Sequence, residues 1–356
     1  MGRAVRAERE SPLRHEEVQA FIAALYEGEL HTKRVTALAG ATLGVMASAS
    51  LAVAVIGQAP SGRSCPRRRL VAMDWTDYDR DGQATLVLSL VTGHGRATPL
   101  LWLSVWKDEL TQQRNAFEDA CLVRLKELVP EGCRVTILAD RGFGDQNLFG
   151  FLAELGFGYV IRFRGNIQVT DAHGETRPAA EWVGTSGRAR KLREARVTAK
   201  GRQVGAVVCV RAKGMKDCWC LAASNAEAPA AELVNHYARR WTIEPHFRDT
   251  KDLRFGMGLS ATRIGEPTRR DRLLLISAFA TALLTLLGTV GESLGLDRLL
   301  KSNTSKTRTH SLFRQGCMLY DLIPTMPEHR LAPLIERFAQ AVAQAPEFSG
   351  VFNIEK

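Results

Sequence analysis

The chain has 356 residues, 45% of them hydrophobic, and a net charge of +10. That length and apolar content exclude a disordered chain and allow two or three domains with their own cores, while positive charge spread among acids along the sequence suits nucleic acid as a partner better than a membrane surface. Seven cysteines, an odd count with no Cys-x-x-Cys pair, exclude a disulfide framework and a structural zinc site and fit a reducing cytoplasm.

Residues 1–66 read as a helical N-terminal domain. His15 to Tyr26 makes one segment after Pro12, His31 to Ile56 one or two more, and the Gly57 to Pro66 run, rich in Gly, Pro and Ser, is a linker. Arg3, Arg6, Arg9, Arg14, Lys33 and Arg34 make this domain basic, either to meet DNA or as the solvated charges of a small packing domain. Two apolar stretches are weighed against a membrane span. Residues 39–57 are dominated by Ala, Gly, Ser and Val; residues 273–290 follow Arg269, Arg270 and Arg272 and carry Ser277, Thr281, Thr285 and Thr289 at every fourth position. The second is at the short limit for crossing a bilayer, a buried helix gives the same pattern, and neither stretch has the layout of a secretory signal.

From Arg69 the periodicity changes to strands. Leu70 to Trp75, Ala84 to Val91 and Pro99 to Trp106 are strands, with a turn at Asp77 to Gly82. Helix 107–128, strand Arg134 to Ala139, helix 145–155 and strand Tyr159 to Phe163 follow. Short connections imply antiparallel pairing of the first three strands, and the βββαβαβ order is that of an RNase H-like α/β core. Asp74 lies inside the first strand, where an acid beside apolar neighbours is costly to bury. Asp140 ends the fourth strand ahead of Arg-Gly-Phe-Gly, a place where an Asp is also a common structural cap. Asp77, Asp79 and Asp81 imitate a calcium loop, but Leu88 stands where its glutamate belongs, so they read as turn formers. Asp145 reads as the cap of the next helix.

Between Phe163 and Ser224 lies a strand-rich insertion: Ile167 to Thr170, Ala195 to Thr198, Gln203 to Arg211 and Cys218 to Ala223, with Arg188, Arg190, Lys191 and Arg193 in a basic loop. Cys218 and Cys220 point to one face of the last strand and Trp219 to the other. Beyond it, Tyr237 to Lys251 reads Tyr-Ala-Arg-Arg-Trp-Thr-Ile-Glu-Pro-His-Phe-Arg-Asp-Thr-Lys. In a helix turning about 100° per residue, Tyr237, Arg240, Glu244 and Lys251 project within roughly 60° of one another, with Arg248 on the same stripe. A phenol, guanidiniums, a carboxylate and an ammonium on one face have little to offer a core and much to offer a metal-bound phosphate; the plainer reading is a solvated helix with ordinary i,i+4 pairs. Pro245 removes a helix hydrogen bond beside Glu244, so either the helix bends there or Glu244 falls near a helix start.

The order Tyr-x2-Arg-x3-Glu-x6-Lys, with Trp241, Ile243 and Phe247 as filler, resembles the signature helix of the IS4-type transposases, a cut-and-paste family with a DDE triad. The resemblance implies Glu244 as the third catalytic carboxylate, Asp74 and Asp140 as the two upstream aspartates, and all three as ligands of two Mg²⁺ ions, with Mn²⁺ as substitute. It implies that Tyr237, Arg240, Arg248 and Lys251 handle DNA phosphates. Trp219 would stack on a base flipped from the DNA end, its alternative being a core tryptophan. The partners implied are double-stranded DNA, as element ends and target, and a second copy of the chain on paired ends, in the bacterial cytoplasm and away from membranes. The implied organisation is a helical N-terminal domain (1–66) for DNA ends, an RNase H-like core in two parts (67–165 and 225–295), a β-rich insertion (166–224) and a basic, helical C-terminal region (296–356). An RNase H-like nuclease that cuts without joining, or a DNA-binding protein with a decayed site, uses the same residues and stays open at this point.

Overall fold

The computed structural model describes residues 68–344 apart from 94, 130, 131 and 255, together with 16, 19 and 20. Except for helical Glu16, Gln19 and Ala20, the segments expected over 1–66 lie outside the described residues. By its contacts the chain divides into two units, one of Ser64–Gly93 with Ala97–Pro245, the other of Met1–Arg63, His94–Arg96 and His246–Lys356.

The first unit is mixed α/β. Its strands are β1 (Arg68–Tyr78), β2 (Gln83–Val91), β3 (Ala97–Trp106), β4 (Arg134–Ala139), β5 (Gly158–Phe163), β6 (Gln168–Thr170), β7 (Thr176–Pro178), β8 (Arg190–Arg193), β9 (Arg196–Val197), β10 (Arg202–Gln203), β11 (Ala206–Val210) and β12 (Trp219–Ala223). Eight of them form one sheet in the order β3-β2-β1-β4-β5-β12-β11-β8, and β10-β9-β6-β7 form a small second sheet. β1, β2 and β3 pair antiparallel, whereas β1, β4 and β5 run parallel. The parallel ladder of β1 with β4 runs from Arg68 opposite Arg134 to Met73 opposite Ala139.

Local chemistry explains the turns and helix starts. Tyr78 leads into a 3₁₀ turn, Asp79–Asp81, which Gly82 closes at φ +62°. Lys107 pairs with both Asp77 (3.1 Å) and Asp79 (2.5 Å), so an ammonium neutralises the acidic run read as a turn. Helix α1 (Arg114–Leu128) begins later than the periodicity predicts, because Gln112 takes φ +65°, which a helix cannot contain. Helix α2 (Gln146–Glu154) is capped by Asp145, whose carboxylate accepts from the Asn147 amide.

The sheet is covered on both faces, as its long apolar strands require. Val71, Met73, Ile137, Ala139 and Ile161 pack with Leu122 and Leu125 of α1 and with Leu148 and Leu152 of α2. Leu70, Ala72, Leu138, Val160 and Leu221, alternating with them, are buried on the other face. Helix α3 (Ala230–Ala238) packs on β4, β5 and β11. Three strands of the insertion, β12, β11 and β8, continue the main sheet past β5. Trp182 is fully buried beneath it, with the guanidiniums of Arg177 and Arg190 over its ring at 4.7 and 5.0 Å.

In the described part of the second unit, helices follow one another: α4 (Ile243–Lys251), in which the division between the units falls, then α5 (Pro267–Ser293), α6 (Leu312–Leu322) and α7 (Glu328–Gln344). By length and composition α5 could cross a membrane; 67% of its most apolar window is buried. Within its own unit it packs helix on helix: Phe279, Leu283 and Leu287 meet Phe313, Cys317 and Leu319 of α6 and Leu334 and Phe338 of α7. Glycine makes that crossing possible. A Cβ at Gly316 would lie 1.7 Å from the Leu284 carbonyl oxygen, and one at Gly288 1.9 Å from that of Leu312.

Gly316→Ala therefore forces α5 and α6 apart, and a destabilisation of about 2 kcal/mol or more is expected. A thermal melt reads it; an unchanged midpoint would sink the close-crossing account.

Candidate active site

The stretch from Tyr237 to Lys251 is not one helix. It comprises the end of α3, a 3₁₀ turn (Arg239–Thr242) and α4. Pro245 is the reason the restart falls where it does: as third residue of α4 its missing N–H is one that no carbonyl in the helix needs. Of the two outcomes open in the sequence, Glu244 near a helix start is the one observed. The expected single stripe is thereby broken. Arg240 and Glu244 remain in reach of each other, Tyr237 sits on the preceding helix, and Arg248 and Lys251 lie on later turns of α4, within the other unit.

Arg240 is the centre of the site. Its guanidinium, 5% exposed as a residue, donates from Nη1 to Asp74 Oδ2 at 2.9 Å and from Nη2 to Glu244 Oε1 at 3.5 Å. It also lies 6.0 Å from the Tyr237 ring centroid and 5.5 Å from that of Trp241, which is exposed. Asp74 projects from β1, and its Oδ1 accepts the amide of Trp75 at 2.9 Å. Asp140 follows β4 directly, and its Oδ1 accepts the Gly142 amide at 2.7 Å, capping a 3₁₀ turn at Arg141–Phe143. Burial pushes the Asp74 carboxyl up to about 6; Arg240 opposes that, and the nearby charges of Asp140 and Glu244 add to it. Three carboxylates from β1, the end of β4 and the start of α4 thus share one electrostatic field with a single buried guanidinium.

Tyr237 is 2% exposed and meets half-buried Trp219 edge to face, with centroids 4.9 Å apart. Burial raises its phenol, against the pull of Arg240 and Arg162. Arg162 escaped the sequence reading. It stands in β5 and donates to the Cys218 carbonyl at 3.2 Å; the detectable signal was a lone charge in Tyr-Val-Ile-Arg-Phe, the same anomaly that marks Asp74. The Nε atoms of Arg162 and Arg240 are buried without an acceptor, donors that an anion or water would satisfy. Also missed was Glu118 of α1, 5% exposed, which accepts the Trp75 indole N–H at 2.8 Å.

Among the described residues no three His, Cys, Asp or Glu side chains stand together in a way that could hold a metal ion. The Arg240 guanidinium bonds both Asp74 and Glu244 and offsets part of their charge. The donor set itself fits a hard divalent cation, being entirely carboxylate oxygen. Burial above all keeps the Asp74 carboxyl raised even with Arg240 present, and a cation at that place would oppose the shift.

A family described as transposase DDE domain matches residues 68–281 of the chain. No curated protein matches it.

The strain at Asp74 has a measurable sign. A carboxyl raised from 3.8 to about 6 on folding contributes stability below pH 3.8 and loses it as pH rises through 6. Asp74→Asn, which cannot ionise, is expected to be the more stable protein at pH 7.5, by on the order of 1–3 kcal/mol. The gain should disappear by pH 3.5, and thermal melts at both values test this. A variant less stable than wild type at pH 7.5 would contradict the burial argument.

Proposed function

The chain belongs to the transposase DDE domain family, enzymes that cleave DNA and transfer its strands, and from that premise we propose an IS4-type, cut-and-paste transposase acting at terminal inverted repeats. The observation that carries this reading is the convergence of Asp74, Asp140 and Glu244 around Arg240. The order β3-β2-β1-β4-β5, antiparallel over its first three strands and parallel over its last three, supports an RNase H-like core. The Tyr-x2-Arg-x3-Glu-x6-Lys order supports the IS4-type assignment, with the 3₁₀ turn as a departure from a regular signature helix.

DDE transposases use divalent metal ions. In this reading Asp74, Asp140 and Glu244 hold two Mg²⁺ ions, or Mn²⁺ in their place. The chemistry supplied is a water or DNA 3′ hydroxyl of lowered pKa and a stabilised leaving oxygen. The protein's own groups do the rest. Arg240 keeps the acids from repelling one another before the site is loaded; once its ion pairs are exchanged, its guanidinium is free to take a phosphate oxygen. Tyr237 packs beneath Arg240, and Arg248 and Lys251 supply further positive charge for the DNA backbone. Trp219 offers an indole face to a base displaced from the DNA end. Residues 1–66 bind the ends, a second copy of the chain pairs them, α5 is a core helix, and the protein works in the cytoplasm on the nucleoid.

The test is cleavage of a plasmid carrying the DNA that flanks this gene, in Mg²⁺ and in Mn²⁺. Wild type should cut at the element's ends and give joined products. Glu244→Gln should lose cutting by about 10²-fold or more while still binding the ends. Cutting without joining would point to a nuclease, and equal end binding with no cutting by either protein to a decayed site.

A further inference from the structure

The ladder between β1 and β4 stops at Met73 and Ala139, one residue short of both aspartates. Backbone pairing therefore does not fix the distance from Asp74 to Asp140. A side-chain bridge on the opposite face of β1 spans that gap. Arg114, the first residue of α1, donates from Nε to Glu118 Oε1 at 2.9 Å, and the same oxygen accepts the Trp75 indole N–H at 2.8 Å. The Arg114 guanidinium lies 5.6 Å from the Trp75 ring centroid and 5.4 Å from that of Phe143. A Cβ at Gly142 would stand 3.8 Å from Arg114 Nη2 and 3.0 Å from Asp140 Oδ1, so the guanidinium closes on the loop in which Asp140 sits.

Both ends of this bridge are tied to a carboxylate through one peptide. The Trp75 amide holds Asp74 Oδ1, and Phe143 ends the short turn whose Gly142 amide holds Asp140 Oδ1. Glu118 has a side chain only 7% exposed, and a buried carboxylate here is expensive beside an apolar residue of the same size. Here its oxygen is held by the Trp75 indole and by Arg114, so its place is set by those two bonds and not by apolar packing.

We propose that Arg114, acting through Glu118, Trp75 and Phe143, sets the spacing of Asp74 and Asp140 and is a positioning residue for strand cleavage. This rests on the reading of those two acids as metal-holding groups. Arg114 touches neither carboxylate nor DNA in this role; it presses together the two backbone segments that aim them.

The experiment measures Mn²⁺ bound by the full chain, from the free-ion signal in electron paramagnetic resonance, beside end binding and the thermal midpoint. Arg114→Ala is expected to keep end binding and to weaken Mn²⁺ binding about tenfold, the size usual for groups that orient metal ligands. Trp75→Phe removes the indole donor with its five-membered ring and keeps a six-membered aromatic ring, so it tests the bridge even if Arg114→Ala does not fold; a shift of a few-fold in the same direction is expected. Wild-type Mn²⁺ binding in both variants overturns the proposal. So does lost end binding with unchanged Mn²⁺ affinity, which would make Arg114 a DNA contact. Asp140→Asn separates the two levels of the argument. If it binds Mn²⁺ as wild type does, the assignment of the acids falls and the bridge with it; if it loses Mn²⁺ while Arg114→Ala does not, the bridge alone falls.

Discussion

A guanidinium buried among carboxylates is the constraint on which this site depends. Asp74, Asp140 and Glu244 arrive from three separate elements, and burial of the Asp74 carboxylate, with repulsion from the other two acids added to it, opposes the fold that gathers them. Arg240 answers that cost with bonds to two of the three. The compensation is partial, since burial first, and the neighbouring acids after it, still hold the Asp74 carboxyl well above the ordinary aspartate range. A site left with uncompensated negative charge is strained when empty of counterions and relieved by binding them, which is how binding energy and folding energy become linked.

The sheet decides which acids can meet. β1 and β4 are parallel neighbours whose ladder ends at Met73 opposite Ala139, so Asp74, inside the longer β1, and Asp140, just past the end of β4, each follow a residue of that last pair. Alternation then sends Asp74 to one face and Trp75 to the opposite face. The first faces Arg240, the second Glu118 of α1. One dipeptide thus connects the chemistry on one side of the sheet with helix packing on the other.

Much of this was legible in the sequence because its signals were local. Strand β4 was read with its observed ends, β5 and α2 within a few residues, and Asp145 as a cap, since apolar period and cap chemistry are both short-range. Asp74 was visible as an acid in an apolar run. The start of α1 was missed because nothing in Lys107 to Gln113 announces that Gln112 turns to positive φ. The break between α3 and α4 was signalled by Pro245 but not resolved, as proline tells where a helix can begin and not what precedes it. Arg162 carried the same signal as Asp74, a lone charge in an apolar strand, and was passed over; Arg114 and Glu118 gave none, since they look like an ordinary i,i+4 surface pair until Trp75 is brought to them from a distant strand.

The continuity of β12, β11 and β8 with the main sheet changes what the insertion is. Were it excised, the free N–H and C=O groups of β5 would form a bare edge beside Val160 and Ile161, an invitation to pair with any other extended chain. In the intact chain that edge is moved outward to the short strand β8, where the Arg190 guanidinium lies over Trp182 and Lys191 donates to the Ala226 and Ala228 carbonyls. The segment is therefore less an accessory than the sheet's protective border. Its small β10-β9-β6-β7 sheet shares the same core through Val169 and Val197.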